Sequence, residues 1–202
     1  MLNSIDSRAS EFWRWFSSVA HEFASSLEND RILGELDRRI AALEGVSWEV
    51  GRGLERPNAL VISPNRNKML LEISKRMVSL APVHAEWEFC YAKPPKKWKL
   101  RFSVENTDGS RFDVDANEWE YVLLGFPDGT FDVTVCAPNL QEVTEKLREL
   151  AAEVSIEGVV GEMGMLRCIT EIEVVTTFDE EHQGRSNSLQ HLADHLSSLC
   201  PE

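Results

Sequence analysis

Two histidines near the end of the sequence have a spacing that could bind a metal ion. His191 and His195 are four residues apart in "SLQHLADHLSSL", so on a helix both side chains would lie on one face. Imidazole groups are common zinc ligands, but a protein site needs three or four ligands. No third ligand is identifiable from the sequence, the HExxH pattern is missing, and both histidines border a leucine stripe. We therefore expect neither a metal nor a cofactor.

The acidic run "DVDANEW" at residues 113–119 opens like a calcium-binding loop. An EF-hand loop requires glycine at its sixth position and a bidentate glutamate at its twelfth. Those positions hold Glu118 and Leu124. The match fails, and the run is interpreted as the solvated face of a strand.

The basic run "KPPKKWKLR" at residues 93–101 has the composition of a nucleic-acid-binding segment. As a strand, however, it places Lys97, Lys99 and Arg101 on one face. If neighbouring strands pair in hairpins, acidic residues flank that face on both sides and form a cross-strand charge ladder with it: Glu86, Glu88, Asp113 and Asp115. This interpretation is preferred to a nucleic-acid site because the chain as a whole is acidic.

Sequence motifs for nucleophilic catalysis are missing. There is no GxSxG motif, and the glycines of "GRG" and "GVVGEMG" lack the strand–turn–helix setting of a phosphate loop. The four cysteines, Cys90, Cys136, Cys168 and Cys200, are far apart in the sequence and are expected to be free thiols. Catalytic residues, if there are any, are unknown at this point.

Length and charge limit the classes of function. The 202 residues are 43% apolar and 27% charged, with a net charge of −13, which is typical of a globular chain. Residues 137–202 hold 13 acidic and four basic residues, a net of −9. Such a surface repels nucleic acid and anionic membranes. It could attract a basic partner or serve only solubility. The apolar runs are too short for a membrane span and the first residues do not resemble a signal peptide, so we expect a cytoplasmic protein.

The aromatic stretch "EFWRWFSSVAHEF" at residues 11–23 predicts an amphipathic helix. Its phenylalanines fall in one arc, which is the expected core face. Trp13 and Trp15 lie about 160° apart at 3.6 residues per turn, on opposite rims of the arc. A rim tryptophan can bury its rings and keep its N–H group at water or at another chain.

Alternating runs through the middle of the chain predict strands, and helical periods precede and follow them. We predict an α+β fold, with an antiparallel meander sheet of about six to eight strands and helices packed mainly on one face. One domain is expected over residues 1–178. The polar run "FDEEHQGRSNS" and a final amphipathic helix are expected to form a linker and an appended helix over residues 179–202.

Three motifs, "FWRWF", "ALVISPNRNK" and "WEFCYAKPP", give the chain a family likeness. It resembles an uncharacterised bacterial family with an N-terminal FWxWF helix, a short strand ending in Ile-Ser and a later WEF…A…PP strand. Some members carry a later Gly-Glu turn, similar to Gly161-Glu162 here. The likeness spans about residues 11–175 and implies a compact α+β domain, but no activity.

Two functions remain open on this evidence. The favoured one is a cytoplasmic, non-catalytic interaction protein that binds a protein partner or associates with itself as a homodimer. The alternative is a small-molecule-binding enzyme whose site is assembled from residues distant in sequence. The candidate interaction surface combines the two rim tryptophans with the stripe of the last helix: Trp13, Trp15, Leu189, Leu192, Leu196 and Leu199. Whether that stripe packs on its own domain or on a second subunit is left open.

Overall fold

The computed structural model describes residues 2–43, 45–106 and 109–200, with side chains from residue 5 onward. The expected domain ranges also include residues 1, 44, 107, 108, 201 and 202, which lie outside the described residues. The chain divides into two compact units, which we call unit 1 (Met1–Lys93) and unit 2 (Pro94–Glu202).

Unit 1 is a three-stranded sheet with helices on one face. Its elements in chain order are α1 (Leu2–Ser25), α2 (Asp30–Ala41), β1 (Ser47–Arg52), β2 (Asn58–Ser63), α3 (Lys68–Ser79) and β3 (Trp87–Cys90). β1 and β2 are antiparallel, whereas β3 lies parallel to β2 on its other side. A parallel neighbour requires a crossover, and α3 is that crossover.

The helices of unit 1 begin at side-chain caps and bury one face each. The amide oxygen of Asn29 accepts from the N–H of Ile32 at the start of α2, and Asn67 does the same for Met69 at the start of α3. The predicted arc of α1 is buried in the core, together with residues of α2, β2 and β3: Phe12, Phe16, Val19, Ala20, Phe23, Ile32, Leu36, Ile40, Leu60, Ile62 and Trp87.

Unit 2 contains a hairpin and a four-stranded sheet. Its strands are β4 (Arg101–Glu105), β5 (Arg111–Asp115), β6 (Glu120–Gly125), β7 (Phe131–Cys136), β8 (Ile169–Val175) and β9 (Asn187–Ser188). Its helices are α4 (Glu145–Cys168), α5 (Glu180–Gln183) and α6 (Leu192–Leu199), with short 3₁₀ turns at Pro138–Leu140 and Leu189–His191. β4 pairs only with β5 among the described strands, and the larger sheet has the order β8-β7-β6-β9.

Helix α4 has a kink at Gly161, whose backbone angles, φ 72° and ψ 165°, are not helical. Before the kink, the carbonyl oxygen of Gly158 accepts a hydrogen bond from the N–H of Lys96 at 2.7 Å. The indole of Trp98 lies against the bare Cα of Gly158. The backbone of α4 at Gly158 therefore contacts the segment that leads into β4 directly.

The α+β class is confirmed, but the strands do not form one meander. Among the described residues they form sheets of three, two and four strands. The crossovers α3 and α4 place β3 beside β2 and β8 beside β7, both in parallel. A meander connects neighbouring strands by hairpins, which a helix of 12 or 24 residues between two strands rules out.

The residues expected to form a linker and an appended helix are integrated in unit 2. The polar run contains α5 and β9, and β9 pairs with β6 through Glu120↔Ser188 and Tyr121↔Asn187. Helix α6 then packs beside α4 in the core of this unit. The division of the chain at residue 93 thus differs from the expected boundary at residue 178.

Candidate interaction surface

The leucine stripe of the last helix lies inside unit 2. Leu189, Leu192 and Leu196 are buried in its core, while Leu199 is 45% exposed. A hydrogen bond of 2.7 Å between the Tyr121 hydroxyl and His195 Nδ1 also holds α6. Of the two arrangements that the sequence left open, this structure has the stripe packed on its own unit.

The two tryptophans of α1 differ from each other in burial. Trp13 is 3% exposed, and its Nε1 donates to the carbonyl oxygen of Met77 at 2.8 Å. Trp15 is half-buried, and the guanidinium carbon of Arg39 lies 4.9 Å from its ring centroid. The indole N–H of Trp13 is therefore satisfied by its own chain. The six candidate residues fall in different units, and four of them are core residues.

His195 and the acidic run have structural partners, and His191 is exposed. His191 ends a 3₁₀ turn, and the side chain of His195 contacts Tyr121. Asp113 accepts a hydrogen bond from the Ser103 hydroxyl at 2.6 Å, on the exposed face of the β4–β5 hairpin. No group of three or more His, Cys, Asp or Glu side chains suited to a metal ion occurs among residues 2–43, 45–106 and 109–200.

The charge ladder predicted for the basic run is half right. Arg101 pairs with Asp115 across the β4–β5 hairpin at 2.9 Å, as expected. The other half is wrong because β3 pairs with β2 and not with β4. Lys97 and Lys99 precede β4 and are exposed. Glu86 instead contacts His21 at 3.1 Å.

Glu88, the other acidic residue of that half, fixes a loop in unit 1. Its carboxylate accepts hydrogen bonds from three successive backbone N–H groups, those of Leu54, Glu55 and Arg56, at 2.7, 2.8 and 3.1 Å. Burial disfavours the charged form, but the three N–H groups outweigh it and lower the pKa of Glu88. This site is occupied by the protein's own carboxylate and offers no room for a ligand.

A groove of about 260 Å³ lies between the end of β4 and the first half of α4. Leu147 and Leu150 line it together with mostly acidic neighbours: Glu105, Asn106, Lys146, Glu149 and Glu153. Its volume is at or below the lower end of the roughly 300–1,000 Å³ found for small-molecule pockets. The groove therefore gives limited support to an enzyme site.

The feature that best fits a binding function is one face of the four-stranded sheet, which we call the outer face. The strand registers place nine residues on it in three rows across β6, β7 and β8. From one end to the other these rows are Leu124, Asp132 and Glu171; then Val122, Thr134 and Glu173; then Glu120, Cys136 and Val175. The opposite, inner face contributes Tyr121, Val133 and Val135 to the core with α4 and α6.

The outer face combines exposed apolar groups with acidic ones. Leu124 is 61% exposed, and Phe126, which directly follows β6, is 38% exposed. Four of the nine residues are acidic and none of the nine is basic. Asp132 Oδ1 is buried and accepts no hydrogen bond from any residue that the structure describes. Leu124 and Phe126 are thus the exposed large apolar groups here, and they lie on or beside a face with four carboxylates.

One end of the outer face is bordered by the segment between β8 and β9. The backbone of Phe178 hydrogen-bonds to Cys136, and the Ser186 hydroxyl donates to Glu120 at 3.2 Å. The other end, with Leu124 and Glu171, is exposed. The accessible end of the outer face is thus the one that holds Leu124 together with the carboxylates of Asp132 and Glu171.

Sequence reasoning missed the outer face because it depends on the register of three strands. A signal was present in "EYVLLG", the sequence of β6. Four consecutive apolar residues in one strand put Tyr121 and Leu123 on one face and Val122 and Leu124 on the other. A strand with a solvated outer face would normally alternate.

Neither a scan against protein-family models nor searches of curated proteins and of solved structures finds a match to this chain. The likeness to the FWxWF family stays a prediction. None of the helices in the part of the chain that the structure describes combines the length and apolar composition needed to cross a bilayer.

Proposed function

We propose that this protein is a non-catalytic binding protein and that its outer face docks a basic segment of another protein. The observation that carries the proposal is the 61% exposed Leu124 in one row with the carboxylates of Asp132 and Glu171. Apolar surface that is buried in a contact contributes affinity, and the surrounding charges favour a partner whose charge has the opposite sign.

The charge of the outer face favours a different protein over a second copy of this chain. In a twofold dimer the same patch meets itself, so its four carboxylates would face four identical ones. Like charges brought together in this way cost free energy, whereas lysine or arginine side chains would neutralise them. The net charge of −13 extends the attraction to longer range and should speed association at low salt. A homodimer would need another surface.

Retention of basic proteins on the immobilised protein tests the proposal. We would compare the wild type with Leu124→Ser and Glu171→Lys, using extract from the source cells at low and at high salt. Glu28→Lys, at an exposed position of unit 1, is the control because it makes the same change in net charge. We expect a basic protein that the wild type and the control retain, and that either outer-face substitution reduces roughly fivefold or more.

Two results would contradict the proposal. One is equal retention of that protein by Glu171→Lys and Glu28→Lys, which would show that only total charge matters. The other is that no basic protein is retained at low salt. Amide chemical shifts of isotope-labelled protein on addition of the purified partner would locate the contact, and they should change in β6, β7 and β8.

A further inference from the structure

Two of the four cysteines meet where α4 and α6 end. Cys168 is the last residue of α4, and Cys200 directly follows α6. Their thiols lie within hydrogen-bonding contact, and Cys200 packs on the core cluster that contains Cys168. Both are free thiols. The other two cysteines are on different strands, Cys90 on β3 and Cys136 on β7.

The two thiols differ in exposure, which gives them different roles. Cys168 is 5% exposed, whereas Cys200 is half-buried. Burial and the contact with Cys200 together raise the pKa of Cys168 to about 11, against the opposing effect of the Arg167 charge. A thiol reacts as its thiolate, so Cys168 is protected from direct oxidation at neutral pH. Cys200 is the thiol that an oxidant from solution meets first.

We propose that Cys168 and Cys200 form a redox-active dithiol, which a peroxide oxidises to a disulfide that joins α6 to α4. The sulfur of Cys200 attacks one oxygen of hydrogen peroxide, the O–O bond breaks, and the leaving hydroxide takes up the thiol proton as water. The sulfur of Cys168 then attacks the resulting sulfenic acid of Cys200 and its S–O bond breaks. The proton of Cys168 leaves with the hydroxyl group as a second water. In total, two thiols and one peroxide give one disulfide and two waters.

The disulfide would change how α6 is held. In the reduced protein, two buried leucines, Leu192 and Leu196, hold this eight-residue helix in place. The hydrogen bond between Tyr121 and His195 also holds it. A helix of this length has little stability of its own and depends on those contacts. A covalent bond at its end would close a loop that includes β8, α5 and β9. Oxidation would therefore stabilise unit 2 by limiting its unfolded conformations.

Oxidation of the purified full-length protein with hydrogen peroxide tests the proposal. The variant Cys90→Ser/Cys136→Ser keeps only the proposed pair. We expect it to lose two hydrogen atoms in intact mass and to yield a linked Cys168–Cys200 peptide on digestion. Its melting temperature should rise by roughly 5–15 °C. Dithiothreitol should reverse all three changes.

Removal of either thiol of the pair provides the matched comparison. Cys200→Ser, which alters a half-buried side chain, should fold and show neither the linked peptide nor the rise in melting temperature. If Cys168→Ser fails to fold, alkylation answers the same question: iodoacetamide should label Cys200 in the reduced protein and should fail to label it after peroxide treatment. An unlinked pair in the Cys90→Ser/Cys136→Ser variant, or a peroxide-induced rise that persists in Cys200→Ser, would overturn the proposal.

Discussion

Replacing Gly158 by alanine tests the packing of α4 on the segment before β4. A Cβ atom at this position would lie 2.1, 2.7 and 2.8 Å from three carbon atoms of the Trp98 indole. Carbon atoms in protein interiors pack at about 3.5–4.0 Å, so the ring would have to move by more than about 1 Å. The ring lies beside Phe102, with centroids 5.3 Å apart and ring planes inclined by 32°, so a shift of the indole would disturb this contact.

The magnitude follows from two opposing effects. Alanine is favoured over glycine inside a helix by about 1 kcal/mol. Overpacking of a filled site costs about 1–3 kcal/mol, and loss of the hydrogen bond from Lys96 to the Gly158 carbonyl would add about 1 kcal/mol. We expect Gly158→Ala to lower the free energy of unfolding by about 1–3 kcal/mol in total.

The control is the same substitution at Gly34 in α2, where an added Cβ would have nothing within 4 Å. Gly34→Ala should raise the stability of unit 1 by about 0.5–1 kcal/mol. Urea denaturation of both purified variants, followed by far-ultraviolet circular dichroism, measures the two changes as shifts of the midpoint in opposite directions. A shift to higher urea for both variants would refute the reasoning about Trp98.

A double mutant separates the steric cause from other effects. Trp98→Leu removes the ring that the new methyl group would meet, so Gly158→Ala should cost much less in that background. We expect a coupling free energy of at least about 1 kcal/mol between the two positions. Additive effects would mean that the cost of Gly158→Ala comes from somewhere other than the indole.

Three further predictions concern the core, the hairpin and a surface ion pair. Replacing the fully buried Phe16 of unit 1 by alanine should lower the free energy of unfolding by about 3–5 kcal/mol. An unchanged denaturation midpoint would contradict its place in the core. Arg101→Glu puts a like charge opposite Asp115 and should lower stability by about 0.5–1 kcal/mol, whereas the exposed Lys99→Glu should change it much less; equal effects would argue against the register of β4 and β5. Hydrogen bonds from two arginines of α2 lower the pKa of Glu35 from 4.5 to about 2. The stabilisation of the folded protein by this carboxylate is therefore complete above pH 4.5 and is lost as the pH falls towards 2. The melting temperature of Glu35→Gln should thus approach that of the wild type between pH 5 and pH 2, and a constant difference over that range would disprove it.

Elements with a single apolar period could be predicted from the sequence. The arc of α1 and the alternation of β7, where Phe131, Val133 and Val135 are buried, are both as expected. Helix α4 is harder to predict from the sequence because it is buried on several sides and has no clear polar face. Three glycines in "EGVVGEMG" weaken a helix prediction over residues 157–164, whereas the helix continues to Cys168 across the kink at Gly161.

Strand partners were the weakest part of the prediction, and they determine the candidate site. Alternation shows which residues share a face of one strand, but it does not show which strand lies beside it. The contact between the thiols of Cys168 and Cys200 cannot be predicted from the sequence either, because it depends on how α4 and α6 pack together. The order strand–helix–strand over β2, α3 and β3 was the available signal for a parallel crossover, and the hairpin interpretation of "WEFCYA" passed over it.

The two units share a topology that explains why an open face exists. In each, an antiparallel hairpin is followed by a helix and by a strand parallel to the second strand of the hairpin: β1-β2-α3-β3 in unit 1 and β6-β7-α4-β8 in unit 2. A single crossover helix can cover only one face of its sheet. In unit 2, α6 packs beside α4 on that same inner face. Among the described residues, the segment between β8 and β9, which contains α5, borders one end of the outer face. Leu124 is thus left exposed beside acidic rows, and this arrangement is the basis of the proposed docking of a basic segment.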